Sequence, residues 1–228
     1  LNWNGRTLLQ QFLPSWLDHT PDYADLIIVD NGSTDDSVSF LQEHYRDVHL
    51  LAFEENLGFA GGYNRAIEEL DYQTVILLNS DVELTSGWLD QPMQLLNSSP
   101  KIAAVQPTLR AQRSPKDFEY AGAAGGFIDR LGYPFCRGRI FDTIEEDRGQ
   151  YADSVDLFWA SGACLIIRRA VYREVGGLDT LFFAHQEEID LCWRLNARGW
   201  RIVSAPQSIV YHVGGASLSA DSPRKVFL

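Results

Sequence analysis

The sequence predicts an α/β fold in which helices flank a central, mostly parallel sheet. Over the first 109 residues, short apolar runs alternate with helical stretches, which is typical of parallel strands joined by crossover helices. The predicted strands are residues 26–30, 48–53, 74–79 and 102–107. The predicted helices are residues 33–45, 61–70 and 87–96. Ser33 and Asp36 stand at capping-box spacing at the start of the first helix. Residues 75–78 have no polar face, so we expect them in a central strand of the parallel sheet.

The second half of the chain is less regular. Residues 110–152 are rich in Arg, Pro, Gly and acidic residues and predict a long, loop-rich excursion with room for a hairpin. Beyond this region, the sequence again predicts regular elements. The strands are at 154–159, 163–168 and 202–205, and the helices are around Val171 and at 187–198. Because no internal repeat or low-complexity linker divides the sequence, we expect residues 1–228 to form a single domain.

Composition restricts the class of ligand. The chain has 228 residues, 45% of them hydrophobic, which is enough to bury a large core. Its 19 basic and 31 acidic residues give a formal net charge of -12. Nucleic-acid binding needs clustered Lys and Arg, so we expect no nucleic-acid partner. An anionic ligand would need a metal ion or a local Arg.

The cysteines and the chain ends support a further set of expectations. Cys136, Cys164 and Cys192 lack the paired spacing of a zinc site or disulfide framework, so we expect reduced, intracellular, structural thiols. No apolar stretch approaches the ~20 residues that span a bilayer. Residues 1–5 lack an initiator Met and look like a strand end followed by a turn, so we expect the chain to be cut inside its first strand.

The strand at 74–79 leads directly into a group of polar residues. Asn79, Asp81 and Glu83 follow within five positions, and ligands in such sheets bind beyond the carboxyl ends of strands. Two carboxylates and an amide there could hold a hard divalent cation through oxygen ligands. The alternative is that residues 79–81 form only a turn, since all three residue types favour turns.

Two further segments of the first half suit a nucleotide. Asp30 ends a strand before a tight turn, where a carboxylate can accept hydrogen bonds from a base or ribose. Residues 54–66 place Gly58, Gly61 and Gly62 at a helix start, where backbone can approach a phosphate. Their spacing is not the dinucleotide-binding fingerprint, and close helix–sheet packing would explain the glycines equally well.

In the second half, acidic residues open a helix after two aromatic residues. Phe182 and Phe183 would limit water near Glu187 and Glu188 and raise a carboxyl pKa toward the range of a general base. The alternative is that these acids only complement the helix dipole. Asp190 is expected to pair with Arg194 four residues later. Further on, His212 suits a metal ion already held by Asp81.

The order of these motifs identifies a family resemblance. The segments are NWNG, VDNGSTDDS, ENLGFAGGYNRA, LLNSDVEL, SGACLIIRR, GGLDTLFFAHQEEIDLCWR and YHVGGAS. Together they resemble the family 2 glycosyltransferases of the GT-A fold, particularly the rhamnosyltransferase-like branch that builds bacterial cell-surface polysaccharides. The resemblance extends from residue 1 to about residue 217.

The resemblance implies transfer of a sugar, with inversion, from a nucleotide-diphosphate donor such as a UDP- or dTDP-sugar to a hydroxyl of a glycan or lipid-linked acceptor. The family's base is the second acid of a Glu-Asp pair, which matches Glu188. Because this chain has Glu-Glu, Glu187 could share the role. The metal-binding Asp-x-Asp motif matches residues 79–81, with Asn79 in place of the first acid. Asp81 and His212 would therefore hold the Mn²⁺ or Mg²⁺ ion.

The resemblance also assigns the substrate pockets. Residues 1–109 would form a nucleotide-binding half and residues 110–228 an acceptor-binding half. The implied donor-contacting residues are Trp3, Asp30, Asn56, Gly58, Asn64, Asn79 and Ser80. Trp159, Ser161 and Gly162 would face the acceptor or the donor sugar. The implied location is cytoplasmic, with peripheral association at the inner face of the plasma membrane left open.

Two other classes of function stay open at this point. A nucleotidyltransferase also uses an α/β layer and acids holding Mg²⁺, but it would normally carry a basic Gly-rich loop, and residues 54–66 contain only Arg65. A carbohydrate-binding module of the same fold, with weak or no turnover, is favoured by the neutral Asn79.

Overall fold

The computed structural model describes residues 1–182 and 186–214. Its helices are α1 (Arg6–His19), α2 (Ser37–His44), α3 (Gly58–Glu69), α4 (Asp90–Ser98), α5 (Arg169–Glu174) and α6 (Glu187–Ala197). The first strands are β1 (Ile27–Asn31), β2 (His49–Phe53), β3 (Thr74–Leu78), β4 (Val82–Glu83), β5 (Ile102–Ala111), β6 (Ser114–Phe118) and β7 (Gly126–Ile128). The others are β8 (Pro134–Cys136), β9 (Arg139–Ile140), β10 (Thr143–Ile144), β11 (Asp156–Leu157), β12 (Cys164–Arg168) and β13 (Arg201–His212). The predicted Phe183 and residues 215–217 lie outside this part of the chain.

A seven-stranded sheet forms the centre of the molecule. Its strand order is β11-β13-β5-β12-β3, with β4 paired to β13 and β6 paired to β5. Strands β1 and β2 form a separate parallel pair. The predicted α/β class with helices around a central sheet is therefore correct, and strands from both predicted halves share the sheet.

The strand directions differ from the expectation of a parallel sheet. Strands β5 and β13 are parallel, but β12 runs antiparallel to both β3 and β5. Strand β3, expected at the centre of a parallel sheet, stands at one end of the strand order. An apolar run buried on both faces has the same composition whichever way its neighbours run, so the sequence did not specify these directions.

The hydrophobic core has one cluster on each face of the large sheet. Alternate residues of β12 point to opposite faces, as the period of a strand requires. Leu165 and Ile167 pack in the cluster that includes side chains of α3, α5 and α6. Cys164 and Ile166 pack in the cluster that includes side chains of α1, α2 and α4. The three cysteines are buried and free, in line with the prediction of structural thiols.

Helix α1 is an element that the sequence analysis missed. It buries Leu9, Phe12, Leu13 and Trp16, whose spacing is that of one helical face. Pro14 lies inside the helix, where proline removes a backbone donor and lowers helix propensity. The apolar spacing was the available signal, and the packing of this face outweighs the cost of the proline.

Helix α2 begins later than predicted. The capping-box spacing placed its start at Ser33, but the helix begins at Ser37. The Ser33 amide and hydroxyl both donate to the carboxylate of Asp30, at 2.9 and 2.6 Å. Ser33 therefore belongs to the turn after β1. The competing bonds from this turn to Asp30 explain the shift.

The other differences arise where local signals are weak. The excursion at 110–152 contains a four-stranded antiparallel sheet of order β10-β9-β8-β7, in which each strand pairs with the next along the chain, so it forms three successive hairpins rather than one. Strand β13 extends to His212, well beyond the predicted residue 205. Pro206 and an irregular register between Ala205 and Ile209 interrupt the strand pattern there. No helix in the described residues is long and apolar enough to cross a membrane.

The chain start lies against β1 and β3. Asn2 forms a parallel bridge with Asp30, and the Leu1 amino group donates to the carbonyl of Leu78 at 3.4 Å. A mainly apolar cavity of about 230 Å³ lies between β1 and β3. None of Asp81, Glu188 and His212 lines it, although Ser80 does.

We expect Ile166→Ala to lower the free energy of unfolding by about 2–5 kcal/mol, because a fully buried aliphatic side chain is replaced by a cavity. Ile166 pairs with Ile76 in β3 and Val105 in β5, so the loss affects the middle of the sheet. Urea unfolding measures it. Ile140→Ala is the control, since Ile140 is 65% exposed and should change stability by less than about 0.5 kcal/mol. Equal losses would contradict this account of the core.

Candidate active site

The segment after β3 is a turn held by its backbone. The amide of Asn79 donates to the carbonyl of Ala163 at 3.0 Å, and the amide of Val82 donates to the carbonyl of Asn79 at 3.3 Å. Asn79 and Ser80 are half-buried, whereas Asp81 is buried. The turn interpretation is therefore correct for the backbone, and it leaves the side chain of Asp81 to face other parts of the chain.

His212 is the side chain that meets Asp81. Its Nε2 atom lies 3.1 Å from Oδ1 of Asp81, although 131 positions separate the two residues. Strand β4 brings them together because Val82 pairs with His212 and the Val213 amide donates to the Asp81 carbonyl at 3.1 Å. Two of the predicted metal ligands are thus in direct contact.

The spacing of these two atoms fits a shared cation. An Mg²⁺ ion holds its ligands at about 2.0–2.1 Å in an octahedron, so neighbouring ligand atoms are roughly 3 Å apart. The 3.1 Å between His212 Nε2 and Asp81 Oδ1 matches that value. Residues 1–182 and 186–214 contain no cluster of three or more His, Cys, Asp or Glu side chains placed to hold a metal ion. A cation here would need further oxygen ligands from water or a substrate.

A second carboxylate, which sequence reasoning missed, faces the other side of the His212 ring. Oε1 of Glu119 lies 3.4 Å from Nδ1, and Glu119 is buried. Burial works to lower the pKa of His212, but the interactions with Asp81 and Glu119 outweigh it and raise the pKa to about 10. Binding of a cation at Nε2 therefore has to displace a proton. Glu119 falls in the irregular 110–152 region, where no spacing linked it to His212.

Glu187 and Glu188 begin helix α6. The preceding residue, Gln186, has a left-handed backbone conformation with φ of 74° and turns the chain into the helix. Glu187 is buried, and its Oε2 atom has no hydrogen-bond partner in the described part of the chain. Burial raises the pKa of Glu187, and burial together with the charge of Glu187 raises the pKa of Glu188 to about 7. A carboxyl group with that pKa can exchange protons near neutral pH.

Residues 159–163 connect the turn that carries Asp81 with the start of α6, where Glu187 and Glu188 lie. A Cβ at Gly162 would lie 3.4 Å from Cζ of Phe59 and 3.8 Å from Cβ of Glu188, so this segment lies beside the start of α6. On its other side, Ala163 accepts the hydrogen bond from Asn79. The structure thus brings the predicted Asn79, Gly162 and Glu188 into one neighbourhood.

Further bonds fix the same segment. The amide of Ser161 donates to Oε1 of Gln106 in β5 at 2.7 Å. The indole of Trp159 donates to the carbonyl of Phe127 in β7 at 2.9 Å, which ties the segment to the four-stranded sheet. The predicted pair within α6 is confirmed, since Arg194 donates to the Asp190 carboxylate at 2.8 Å. Asp190 is therefore engaged, and Glu187 and Glu188 lack such a partner among the ion pairs of the described chain.

Asp30 shapes the turn after β1. Its carboxylate accepts hydrogen bonds from the side chain of Asn2 at 2.9 Å and from Ser33, and it is almost fully buried. These bonds favour a role in forming the turn, and direct contact with a base stays a prediction. Trp3, by contrast, is 50% exposed beside this turn and is free to stack on a flat ligand.

The predicted donor residues of the third helix take part in internal bonds. Asn56 accepts from the Gly58 amide at 2.8 Å and from the side chain of Asn31 at 2.9 Å. Gly58 has φ of +72°, which favours glycine at that position. Asn64 donates to the carbonyl of Leu178 at 2.7 Å and accepts from the Tyr172 hydroxyl at 2.5 Å. The amide of Asn64 thus joins α3 to residue 178, and its contact with the donor stays a prediction.

The chain is similar in sequence to known proteins. The sequence model of glycosyl transferase family 2 matches residues 2–176. An N-acetylglucosaminyl-diphospho-decaprenol L-rhamnosyltransferase of Mycobacterium tuberculosis is 29% identical over 231 residues, which cover 93% of this chain and 74% of that protein. The O-antigen biosynthesis protein RfbC of Myxococcus xanthus is 27% identical over 219 residues, covering 94% of this chain and 17% of that protein.

Solved structures show the same fold. GalNAc-T7, crystallised with UDP, GalNAc and Mn²⁺, superimposes with a TM-score of 0.71 at 15% identity, covering 90% of this chain and 41% of that chain. The mannosyltransferase PcManGT of Pyrobaculum calidifontis, in complex with GDP-Man and Mn²⁺, superimposes with a TM-score of 0.65 at 16% identity, covering 95% of this chain and 56% of that chain. At these identities the likeness shows the fold alone, and that fold is GT-A.

We expect the free energy of unfolding of the wild-type protein to fall as the pH rises, because Glu188 loses its proton. The substitution Glu188→Gln should remove this pH dependence. An acid whose pKa is raised from 4.5 to about 7 binds its proton more tightly when folded, so stability falls between pH 4.5 and pH 7. Thermal unfolding should show the variant and the wild-type protein alike at pH 4.5 and the variant more stable at pH 8. Glu68→Gln, on an exposed helix face, should respond equally at both pH values. A pH-independent shift in Glu188→Gln would contradict the raised pKa.

Proposed function

Because the chain belongs to glycosyl transferase family 2, we propose that it is an inverting enzyme that moves a sugar from a nucleotide-diphosphate donor to a hydroxyl group of an acceptor. The observation that carries the proposal is the 3.1 Å contact between His212 Nε2 and Asp81 Oδ1 on the turn after β3. That turn is joined through Ala163 to the segment beside Glu188. The proposed cation ligands and the proposed base therefore lie in one neighbourhood.

At the donor end, Asp81 and His212 are the proposed cation ligands. A bound Mn²⁺ or Mg²⁺ ion would offset the negative charge that develops on the departing diphosphate. These two side chains would hold the ion together with oxygen atoms of the diphosphate and of water. In a chain of net charge -12, such a cation also reduces the repulsion between the diphosphate and the acidic residues of the site.

At the acceptor end, Glu188 is the proposed general base. The acceptor oxygen forms the new bond to the anomeric carbon as the bond from that carbon to the diphosphate oxygen breaks. The hydroxyl proton passes to the Glu188 carboxylate, and the departing nucleoside diphosphate keeps the bonding electron pair. A pKa of about 7 suits this role because the group is partly ionised at neutral pH and still accepts a proton. Burial of Glu188 is the main cause of that pKa, and the charge of Glu187 adds to it.

The relatives support a class of substrate. The mycobacterial relative is named as a rhamnosyltransferase that acts on a diphospho-decaprenol lipid, and the Myxococcus relative is named for O-antigen biosynthesis. We therefore propose a UDP- or dTDP-sugar donor and a glycan or lipid-linked acceptor in cell-surface polysaccharide synthesis. The proposed location is cytoplasmic, with peripheral association at the inner face of the plasma membrane where the acceptor is lipid-linked.

The two alternative functions are less well supported. Arg65, the only cation of the Gly-rich segment, pairs with Glu69 at 3.1 Å and so is engaged on its own helix rather than positioned for a triphosphate. A binding module without turnover would keep the fold and the donor pocket but would not need a carboxyl group of raised pKa at Glu188. Release of the nucleoside diphosphate in the presence of acceptor would distinguish an enzyme from such a module.

We expect Asp81→Ala to abolish metal-dependent donor binding, because it removes the carboxylate ligand. Thermal shift with UDP-, dTDP- and GDP-sugars, each with Mn²⁺ or Mg²⁺, first identifies the donor. Calorimetry with Mn²⁺ should then show that the variant binds the donor more than about tenfold more weakly than the wild-type protein. Loss of a residue that only orients a metal ligand already lowers metal affinity by about that factor. Asp153→Ala, at an exposed position, is the control. Equal donor affinity with and without Mn²⁺ in the wild-type protein would contradict the cation site.

We expect Glu188→Gln to lower kcat by about 10²- to 10⁴-fold, the range that a general base contributes. Donor affinity should stay within about twofold of wild type, because the base acts on the acceptor. Turnover is measured as release of the nucleoside diphosphate in the presence of acceptor, and Glu68→Gln serves as the matched control. Near-wild-type turnover in Glu188→Gln would assign the base to another acid.

A further inference from the structure

Glu119 is a buried carboxylate that the proposed reaction does not yet use. It is 4% exposed and lies directly after strand β6. Its amide donates to the Leu109 carbonyl at 2.9 Å, and its Oε2 atom accepts from the Ala121 amide at 2.5 Å. The backbone of Glu119 and one carboxylate oxygen are therefore fixed, and the other oxygen, Oε1, faces His212.

His212 presents a buried atom to this oxygen. Its Nδ1 atom makes no hydrogen bond of regular geometry within the described residues, and Oε1 of Glu119 lies 3.4 Å from it. Gly214 leaves room for the carboxylate, since a Cβ at that position would come within 2.9 Å of Oε1. The packing therefore allows Glu119 and His212 to approach each other.

The two nitrogens of an imidazole point in opposite directions. Since Nε2 faces Asp81 and Nδ1 faces Glu119, the Glu119 carboxylate cannot bind the same cation as Nε2. What it can do is accept the Nδ1 proton. A histidine that binds a metal ion through one nitrogen usually donates its other N–H to such a group, which fixes the tautomer and the ring orientation.

The geometry points to Glu119 as a positioning residue for the donor site: it holds His212 in the Nδ1–H tautomer, so that the Nε2 lone pair is directed to the cation beside Asp81. This inference rests on the cation site of the proposed function. It adds a residue that never touches the donor and that acts only through His212.

A double-mutant cycle with Mn²⁺ as the probe tests this role. We expect Glu119→Gln to weaken Mn²⁺ binding by about 10- to 100-fold, as measured by electron paramagnetic resonance of the free ion. In a His212→Ala background, the same substitution should change the affinity by less than about twofold, because its target is gone. A purely structural residue would weaken binding in both backgrounds. Glu68→Gln is the control, since Glu68 is exposed on α3 and is not among the candidate cation ligands.

The outcomes separate this inference from the proposed function. Unchanged Mn²⁺ affinity in Glu119→Gln, or equal losses in both backgrounds, would overturn the role of Glu119 and leave the cation site standing. Unchanged affinity in Asp81→Ala, or no Mn²⁺ binding by the wild-type protein, would overturn the cation site and this inference with it.

A second measurement needs no substitution of Glu119. An imidazole bound through Nε2 carries its proton on Nδ1 in any case, so the informative quantity is the hydrogen bond of that proton. Proton NMR of the Mg²⁺-bound wild-type protein, with the His212 signal assigned from His212→Ala, should show the Nδ1 proton far downfield, as a hydrogen bond to the Glu119 carboxylate requires. An Nδ1 proton without that downfield shift would overturn the inference even if Glu119→Gln failed to fold.

Discussion

The antiparallel pairing of β3 with β12 is the interaction on which the candidate site depends. It brings the end of β3 beside the start of β12, with Leu78 opposite Cys164. The hydrogen bond from Asn79 to Ala163 continues the pairing beyond the strand ends. The turn that carries Asp81 therefore meets the segment beside the start of α6. In a parallel pair these two chain segments would lie at opposite ends of the strands, and the site could not form in this way.

A second constraint is electrostatic. The chain carries a net charge of -12, and the site itself contains several buried or half-buried carboxylates. Burial raises the pKa of both Glu187 and Glu188, and the charge of Glu187 raises the pKa of Glu188 further. The same repulsion would exclude an anionic diphosphate. Proton uptake relieves the charge at the Glu188 end. The His212 imidazole relieves it at the Asp81 end, and the proposed cation would do so there as well.

Local signals in the sequence predicted the elements that depend on local structure. The strands at 26–30 and 74–79 lie within one residue of β1 and β3, and the Asp190–Arg194 pair follows from helical spacing. Strand direction, the length of β13 and the role of Glu119 depend on contacts between distant parts of the chain. Glu119 and His212 are far apart in sequence, and no periodicity links them.

Asn79 shows how the site differs from its family pattern without losing its shape. Its backbone amide and carbonyl form the turn, so the side chain can be neutral while Asp81 keeps its place. The substitution would weaken binding of the proposed cation, because one carboxylate ligand is missing. With fewer charged ligands, the affinity depends more on the orientation of those that remain. A buried carboxylate that fixes the His212 ring is then of greater value here than in a site with two acids at the turn.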